Sequence, residues 1–571
     1  MNRKVEIIIL WGSIVLLIFL RIHVAIVRFI DPDEFAHLHW AYLLVSGKIP
    51  YKDFFLYHIP LYQLYLTPIF WLPQSSFLIY LARIWEFVLY ISVIILLGKI
   101  TLWFTKNTRL FLLAIFLFLT FPMTFDKTVD IRPDMLMIFF YLLSIYISLV
   151  SPALTFKKLL LVGFFFGLSL MTFPKIIFAL PSLVYLLILK LKLTPGVRFG
   201  LIGRLTSAWP VVIGTTIPFL IYSLLLAVTG SFEKGIELVT QGAWAVSAGK
   251  IPFSPWLALS PWPVIYVGNG GPSLPWFFNT TLWILATFGF LILAKINKHA
   301  TIFLGIFFGG GIIFLFAFPA PYIQYFVPLS VFASVLAAVF IHFAITFLDA
   351  LVKTRLKPSL IFLLLTIVIG LSSFYLQYGE RAEATSEEQT GVIDTIAAVV
   401  RPEETMYDMV GSYLYRPDGY YICCHPYAEF VDKLKTKPPP LPQSLIANKT
   451  KFIVLDRTGL AFWKPLPEDL QFLFKHYIES PHKKIYVLGA KFLCRNGSCD
   501  QVDINNRPIV TRTSTFDIII PESYVIETYP ANAPVVINGS QISPAPLAFS
   551  PGLYTFYVPP TVSMFQLRLA R

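Results

Sequence analysis

Charged residues are scarce in this sequence. Only 13% of its 571 residues are Asp, Glu, Lys or Arg, whereas soluble domains average about 25%. Hydrophobic residues make up 56% and come in blocks of roughly 20, the length of helix that crosses about 30 Å of hydrocarbon. Aromatic residues, which are counted within that hydrophobic share, make up 16% of the chain, and this suits lipid-facing walls and interfacial belts. The composition argues against a soluble fold and predicts a membrane protein.

Signatures of nucleic-acid binding are also missing. The formal charge is +13, yet the basic residues lie in short clusters between apolar blocks rather than along one stripe. No RNP, zinc-finger or helix-turn-helix pattern occurs. Membrane topology explains the basic clusters better than a nucleic-acid partner does.

Cysteine is rare, and no CxxC metal motif is present. The four cysteines, Cys423, Cys424, Cys494 and Cys499, all lie in the C-terminal region, where disulfides can form if that region faces an oxidising compartment. A secretory cleavage site is missing too. The first apolar block, Glu6–Phe29, has no small-residue site before Asp31, so we expect it to be a retained helix.

The apolar blocks predict a polytopic all-α membrane domain with about eleven spans. Basic residues fill alternate loops, and by the positive-inside rule this places the N-terminus in the cytoplasm. With an odd number of spans, the chain after Leu376 emerges on the outer side. The predicted spans are Glu6–Phe29, Phe77–Phe104, Leu110–Phe125, Pro133–Val150, Leu159–Met171, Ile176–Leu189, Ala208–Val228, Trp276–Ala294, Thr301–Phe318, Phe326–Leu348 and Ser359–Leu376.

The last third of the chain changes character near Gly379, where charged residues begin to alternate with short apolar runs. Lys451–Asp456 and Lys484–Gly489 read as buried strands and Glu468–Tyr477 as an amphipathic helix, which predicts an α/β region. After Phe516, short strands separated by Pro, Gly and Asn predict a β-sandwich-like module. We therefore expect a transmembrane domain over 1–378, an extracytoplasmic α/β domain over 379–490 and a β-sandwich-like module over 491–571.

Polar residues that could carry chemistry gather just after the first span. The run from Asp31 to Trp40 contains Asp33, Glu34, His37 and His39. One interpretation is a helix start, with Asp31 as the cap and the next two acids at the positive end of the helix dipole. The other is a general base with polar support at the membrane surface. A metal site is a third, weaker interpretation, because Asp33 and His37 would share a helix face.

Two further outer segments carry charge. Asp126–Asp134 packs carboxylates and cations, including Arg132 and Asp134, between two apolar blocks. Lys175 stands alone in a later outer turn. An ammonium there either extends to water or meets an anion, such as the phosphate of a lipid.

In this order, these residues resemble the motifs of the GT-C class of polyprenyl-phosphate-sugar-dependent glycosyltransferases, which includes protein O-mannosyltransferases and aminoarabinose transferases of lipid A. The resemblance covers roughly Glu6 to Leu348. Ile59 departs from it, since the family has a proline there. The stretches that carry it are Asp33-Glu34, Gly47 to Asp53, His58 to Leu61, Arg132-Pro133-Asp134, Phe173-Pro174-Lys175 and Pro321 to Pro328.

The resemblance implies a GT-C-like fold and a reaction in which Asp33, supported by Glu34, takes a proton from an acceptor hydroxyl. The oxygen then attacks the sugar's anomeric carbon with inversion, and polyprenyl phosphate leaves. The resemblance also assigns roles to the other residues. The donor phosphate would be held by Lys175, Arg132, Tyr322 and Tyr325, and support for substrate or loop would come from His37, His39, His58, Asp53 and Asp134.

The implied partners are a polyprenyl-phosphate-linked sugar, an extracytoplasmic acceptor and the lipid bilayer of a plasma (inner) membrane. The sequence leaves open whether a divalent metal ion is a cofactor. The competing functions are a lipid or glycan transporter and a non-catalytic membrane glycan-binding protein. A transporter would carry ionisable residues within its spans, whereas here they concentrate in the outer loops.

Overall fold

A computed structural model describes most of the chain. The described residues are 3–125, 127–192, 207–242, 274–317, 323–351, 358–383, 385–424, 434, 437–455, 466–482, 484–542 and 545–570. They form two compact units. The first comprises Met1–Phe29, Tyr57–Ile69 and Ile79–Ser386, and the second comprises Ile30–Leu56, Phe70–Leu78 and Glu387–Arg571.

Every predicted span corresponds to a helix. Among the described residues, nine helices are long and apolar enough to cross a membrane, fewer than the eleven expected. The other two blocks form the shorter helices Thr108–Thr120 and Phe156–Thr172. The first stops early because Pro122 forces the preceding Phe121 into an extended conformation.

The helices in chain order are α1 Arg3–Val27, α2 Pro32–Val45, α3 Leu61–Leu66, α4 Phe77–Thr105, α5 Thr108–Thr120, α6 Pro133–Val150, α7 Phe156–Thr172, α8 Leu180–Lys192, α9 Trp209–Val228, α10 Phe232–Glu237, α11 Leu274–Ile296, α12 Lys298–Ala317, α13 Val327–Leu351, α14 Pro358–Glu383, α15 Glu387–Val399, α16 Leu441–Ala447 and α17 Pro467–His476. Short 3₁₀ turns cover Thr67–Trp71, Pro122–Thr124, Pro174–Ala179 and Ile323–Phe326.

The first unit exposes large apolar side chains from its helices. Ile8, Val212 and Ile313 are each at least two-thirds exposed, at 67%, 67% and 70%. A soluble protein rarely leaves so many such side chains uncovered, whereas lipid tails solvate them. This unit is the multi-pass membrane part of the chain.

Small residues let two of these helices touch through their backbones. A Cβ added to Gly163 of α7 would collide with the carbonyl of Val211 in α9. One added to Gly214 of α9 would collide with the carbonyl of Leu160 in α7. Such small-residue contacts are typical of helix pairs in membranes, where close packing replaces the hydrophobic effect.

The second unit is rich in strands, as predicted. A nine-stranded sheet has the order β1-β2-β4-β13-β8-β11, with β3 and β5 also on β4 and β6 on β5, and a four-stranded sheet has the order β10-β9-β12-β7. The strands are β1 Met406–Tyr407, β2 Phe452–Val454, β3 Tyr477–Glu479, β4 Ile485–Arg495, β5 Ser498–Val502, β6 Pro508–Thr513, β7 Thr515–Ile518, β8 Glu522–Tyr529, β9 Val535–Ile537, β10 Ser540–Ile542, β11 Leu547–Phe549, β12 Gly552–Tyr557 and β13 Met564–Leu569.

The expected secondary structure of this unit is confirmed at the positions that were singled out. The predicted strands at Lys451–Asp456 and Lys484–Gly489 coincide with β2 and the start of β4, and the predicted helix coincides with α17. The expected boundary at residue 490 falls within β4, so the three-part domain division stays a prediction.

Candidate functional site

The acidic run after the first span begins α2 through a capping box. Asp31 is the N-cap, and its carboxylate accepts from the backbone N–H of Asp33 at 3.0 Å. The carboxylate of Glu34 reaches back to the N–H of Asp31 at 2.9 Å. Pro32 occupies the first turn, where it fits the helix geometry. The helix-start interpretation is therefore confirmed for Asp31 and Glu34.

Asp33 contributes only its backbone amide to this capping box. Its side chain is half-buried in the first helical turn, whereas Glu34 is fully buried. The N-terminal turn of a helix is where a carboxylate is electrostatically most favourable. Of the two acids predicted as catalytic, Glu34 is part of the helix cap and Asp33 is not, and the catalytic roles of both stay predictions.

The predicted support residues of the second unit have separate partners. His37 is buried and lies edge-on to Trp40, with ring centroids 5.6 Å apart. Asp53 accepts from the N–H of Ile49 at 2.8 Å, which closes the turn at Gly47–Asp53. The metal interpretation gains no third ligand, since no described group of three His, Cys, Asp or Glu residues includes Asp33 with His37.

His39 belongs to a buried polar cluster of its own. Its Nδ1 lies 3.0 Å from the carbonyl of Leu414, and its Nε2 lies 2.7 Å from the carboxylate of Asp418. The hydroxyl of Tyr413 donates to the same carboxylate oxygen. Burial, reinforced by Asp418, raises the pKa of Tyr413 well above its usual range, which keeps the phenol protonated as the donor.

In the first unit, the predicted phosphate-binding residues do come together. Lys175 Nζ donates to the carboxylate of Asp134, and Arg132 Nε donates to the other oxygen of that carboxylate at 3.3 Å. The three side chains are 4%, 8% and 1% exposed for Lys175, Arg132 and Asp134. Arg132 is the N-cap residue of α6, and Asp134 lies in its first turn, so the helix fixes their spacing.

Aromatic rings surround the ammonium of Lys175. Its Nζ lies 4.6 Å from the ring centre of Phe173 and 4.8 Å from that of Tyr325, within cation–π range. It also donates to the carbonyl of Gln324 at 3.1 Å. The ring of His58 packs edge-on against Phe173 at 5.3 Å. We call Lys175, Arg132, Asp134, Phe173 and Tyr325 the lysine cluster.

Tyr322, the other tyrosine predicted to bind phosphate, lies outside the described residues. Sequence reasoning also missed two members of the site. Phe173 was quoted as part of a turn but given no role, although an aromatic residue two positions before a lone lysine is a signal for a cation–π contact. The backbone carbonyl of Gln324 could not be found from residue types.

A second ion-pair network involves the same outer segment. Asp130 is buried and pairs with Arg28 Nη1 at 2.5 Å and with Lys127 Nζ at 3.1 Å. Among the described residues, this network and the lysine cluster place four cations on two carboxylates, those of Asp130 and Asp134.

Comparison with solved structures places this fold. The chain resembles ArnT from Cupriavidus metallidurans bound to undecaprenyl phosphate, with a TM-score of 0.53 and 12% identity over 85% of this chain and 98% of ArnT. The apo form of that protein gives a TM-score of 0.54 and 13% identity over 86% and 98%. The archaeal oligosaccharyltransferase AglB from Archaeoglobus fulgidus gives 0.47 and 12% identity over 86% and 74%. No protein-family model and no curated protein matches the sequence. The chain therefore has the fold of ArnT, a GT-C glycosyltransferase.

Proposed function

We propose that this protein is a membrane glycosyltransferase that moves a sugar from a polyprenyl-phosphate donor to an extracytoplasmic acceptor with inversion. The observation that carries the proposal is the lysine cluster, a buried set of cations on a fold shared with a protein solved with undecaprenyl phosphate. Its ammonium and guanidinium are groups that bind phosphate oxygens well.

Lys175 has capacity left for such a ligand. An ammonium carries three N–H donors. Within the described part of the chain two are used, by the carboxylate of Asp134 and the carbonyl of Gln324, and the third is the one that we assign to a phosphate oxygen. The rings of Phe173 and Tyr325 exclude water on the flanks, which strengthens that contact. Arg132 adds a guanidinium, whose fork of donors matches phosphate oxygens.

The chemistry would be a single displacement. Asp33 takes the proton from the acceptor hydroxyl, and the oxygen forms its bond to the anomeric carbon from the face opposite the phosphate. The bond between that carbon and the phosphate oxygen breaks, and its electron pair leaves with polyprenyl phosphate. Prepositioned cations lower the barrier because they meet the charge where it develops, and this is the role of Lys175 and Arg132.

We further propose that the N-terminus is cytoplasmic and that the strand-rich unit is extracytoplasmic. Two observations support this orientation: the basic residues fill alternate loops, and Cys494 and Cys499 form a disulfide, which persists in oxidising compartments. The domain division at 378 and 490 belongs to the same proposal, in which the part of the chain after residue 378 binds the acceptor. Whether a divalent ion assists Asp33 is left to experiment.

The test is a transfer assay with the purified full-length protein. Radiolabelled polyprenyl-phosphate sugars are incubated with the protein and a membrane extract, and the labelled products are identified. We expect label in a lipid or glycan larger than the donor, and loss of that label in Asp33→Asn. Movement of the intact donor between the leaflets of a vesicle, without any transfer, would instead indicate a transporter.

A further inference from the structure

The second unit contains two disulfides that differ in what they do for stability. Cys494–Cys499 joins a cross-strand pair of β4 and β5, with a sequence separation of five. Cys423–Cys424 joins neighbours in the sequence. A disulfide stabilises a fold mainly by restricting the unfolded chain, and the effect grows with the loop that it closes. The adjacent pair restricts almost nothing, so its presence needs another explanation.

The adjacent pair is buried beside His39. Cys423, Cys424 and His39 are 1%, 2% and 0% exposed. A ring nitrogen of His39 and the two sulfur atoms all lie within 4.8 Å of one another. The backbone of Gly411, at φ +78°, packs directly against these side chains. A Cβ at this position would lie 2.6 Å from Cys424 Sγ and 3.2 Å from His39 Cβ. Three atoms of the kind that bind metals thus converge in a closed site.

The hydrogen bonds of His39 match those of a metal ligand. A metal-bound histidine usually donates its other N–H to a carbonyl or a carboxylate, which fixes its ring. His39 faces one of each, the carbonyl of Leu414 and the carboxylate of Asp418. A neutral imidazole has one N–H and one lone pair, so it can donate to only one of these acceptors. The other ring nitrogen can exchange its contact for a metal ion.

The surroundings of the Asp418 carboxylate indicate independently that this cluster suits a cation. The side chain of Asp418 is 7% exposed, and its Oδ2 is buried without a hydrogen-bond partner in the described part of the chain. Its Oδ1 is used by His39 and Tyr413. A buried carboxylate oxygen without a donor is costly, and a positive charge nearby would offset that cost.

We propose that Cys423, Cys424 and His39 form, after reduction, a site for one thiophilic divalent ion of the Zn²⁺ class, with Asp418 in its outer shell. A dithiol reductant transfers two electrons and two protons to the disulfide and becomes a disulfide itself. The ion then displaces the two thiol protons and binds two thiolates and one imidazole. Tetrahedral Zn–S bonds of about 2.3 Å need sulfur atoms about 3.8 Å apart, which flexible side chains on adjacent residues can reach.

The ligand set selects the ion. Thiolates and imidazole suit Zn²⁺ and its heavier congener Cd²⁺, whereas Ca²⁺ and Mg²⁺ prefer oxygen ligands. Three protein ligands leave the fourth tetrahedral position for water. Because α2 carries both His39 and Asp33, metal occupancy would tie the middle of that helix to the loop Gly411–Cys424.

Cd²⁺ is the probe that tests the site. The full-length protein in detergent is reduced with a dithiol, freed of reductant without air and titrated with CdCl₂, while thiolate-to-cadmium absorbance is followed. We expect one Cd²⁺ per chain, and no such absorbance before reduction. The double variant Cys423→Ser/Cys424→Ser should lose the signal, and the matched Cys494→Ser/Cys499→Ser should keep it. Asp418→Asn should weaken binding about 10–100-fold, as outer-shell changes do.

A second measurement avoids variants that fail to fold. The reduced wild-type protein is alkylated with and without Zn²⁺, and each cysteine is quantified by mass spectrometry. Protection of Cys423 and Cys424, with Cys494 and Cys499 unprotected, supports the site. Equal alkylation with and without Zn²⁺ overturns it, as does a cadmium signal that survives Cys423→Ser/Cys424→Ser. An unchanged affinity in His39→Gln would also overturn the three-ligand site.

Discussion

Lys175 and Arg132 donate to different oxygens of one carboxylate, that of Asp134. This arrangement holds two buried cations side by side, although like charges repel. The shared carboxylate fixes the spacing of the two cations, which are the groups that the proposed function assigns to the donor phosphate. The consequences of this arrangement can be measured.

Removing either cation should weaken the binding of polyprenyl phosphate itself. Lys175→Ala and Arg132→Ala each delete a charge-assisted contact, so each should cost about 1.5–3 kcal/mol, roughly tenfold to 150-fold in affinity. The measurement is the dissociation constant of the lipid phosphate. Lys475→Ala, which removes a lysine paired with Asp517 in the second unit, is the matched control and should bind as the wild type does. Unchanged affinity in both cluster variants would refute the assignment.

Asp134→Asn should destabilise the first unit. Polyprenyl phosphate should stabilise this variant more than it stabilises the wild type. Removing one partner of a buried ion pair typically costs about 3–5 kcal/mol, because the remaining charge is left uncompensated. Polyprenyl phosphate should therefore raise the melting temperature of Asp134→Asn more than that of the wild type. The double variant Asp134→Asn/Lys175→Met should recover stability and lose this response. A ligand response no larger than in the wild type would contradict the charge argument.

Asp33→Asn should abolish most of the transfer while leaving the donor bound. It keeps the shape and removes the basic oxygen, and a general base typically contributes about 10²–10⁴-fold. The readouts are the transfer rate, the donor affinity and the melting temperature. Glu34→Gln is the control, since the amide oxygen can still accept the capping bond from Asp31 and the rate should fall less. A loss in Asp33→Asn that tracks a lower melting temperature would leave only a structural role.

Acid should destabilise the second unit through His476. Burial, with Lys475 nearby, lowers the pKa of His476 to about 4, against 6.5 for an ordinary histidine. Between these values the unfolded chain binds a proton that the folded chain does not, so stability is complete above pH 6.5 and falls toward pH 4. The loss is at most about 3 kcal/mol. The measurement is the melting temperature of the wild type and of His476→Gln at pH 7 and at pH 4.5. We expect the melting temperature to fall less in the variant than in the wild type.

The same pH window contains an opposing group. Burial raises the pKa of Asp469 to about 6, so its contribution to stability rises as the pH falls. The comparison between the wild type and His476→Gln isolates the histidine, because Asp469 is common to both. An identical pH dependence in the two proteins would show that His476 is not the source.

Reporter fusions should place the two chain ends on opposite sides of the membrane. The alternation of basic loops predicts that a cytoplasm-only reporter works at the N-terminus and fails after Arg571. A fusion at Asn297, between α11 and α12, is an internal control, since the basic turn there is predicted to be cytoplasmic. A cytoplasmic signal from the reporter fused after Arg571 would contradict the topology with an odd number of spans.

Much of this architecture follows from simple patterns in the sequence. Apolar block length located a helix for every predicted span, because the bilayer imposes a similar length on all of them, but two of these helices, α5 and α7, are shorter than a full span. The strands β2 and β4 and the helix α17 were found from their periodicity. The pairing of the strands could not be predicted in this way. Strand β13 pairs with β4 and β8 across long stretches of sequence that no local pattern connects.

The site was predictable where residue type alone carried the signal. The lone Lys175 and the Arg-Pro-Asp stretch stood out because cations next to apolar spans are unusual. Their mutual contact joins positions 41 residues apart, and the capping box of Asp31 and Glu34 is set by backbone geometry, so residue types alone could not reveal either. The convergence of His39 with Cys423 and Cys424 joins positions far apart in the chain, which composition cannot reveal.

The backbone contact between Gly163 of α7 and Val211 of α9 constrains how the membrane part can be built. No lipid chain fits between two helices whose backbones touch, so lipid can solvate α7 and α9 only on their remaining faces. A methyl group at Gly163 would meet the carbonyl of Val211, so Gly163→Ala has to push the two helices apart at that point. The pair therefore presents one common surface to the bilayer.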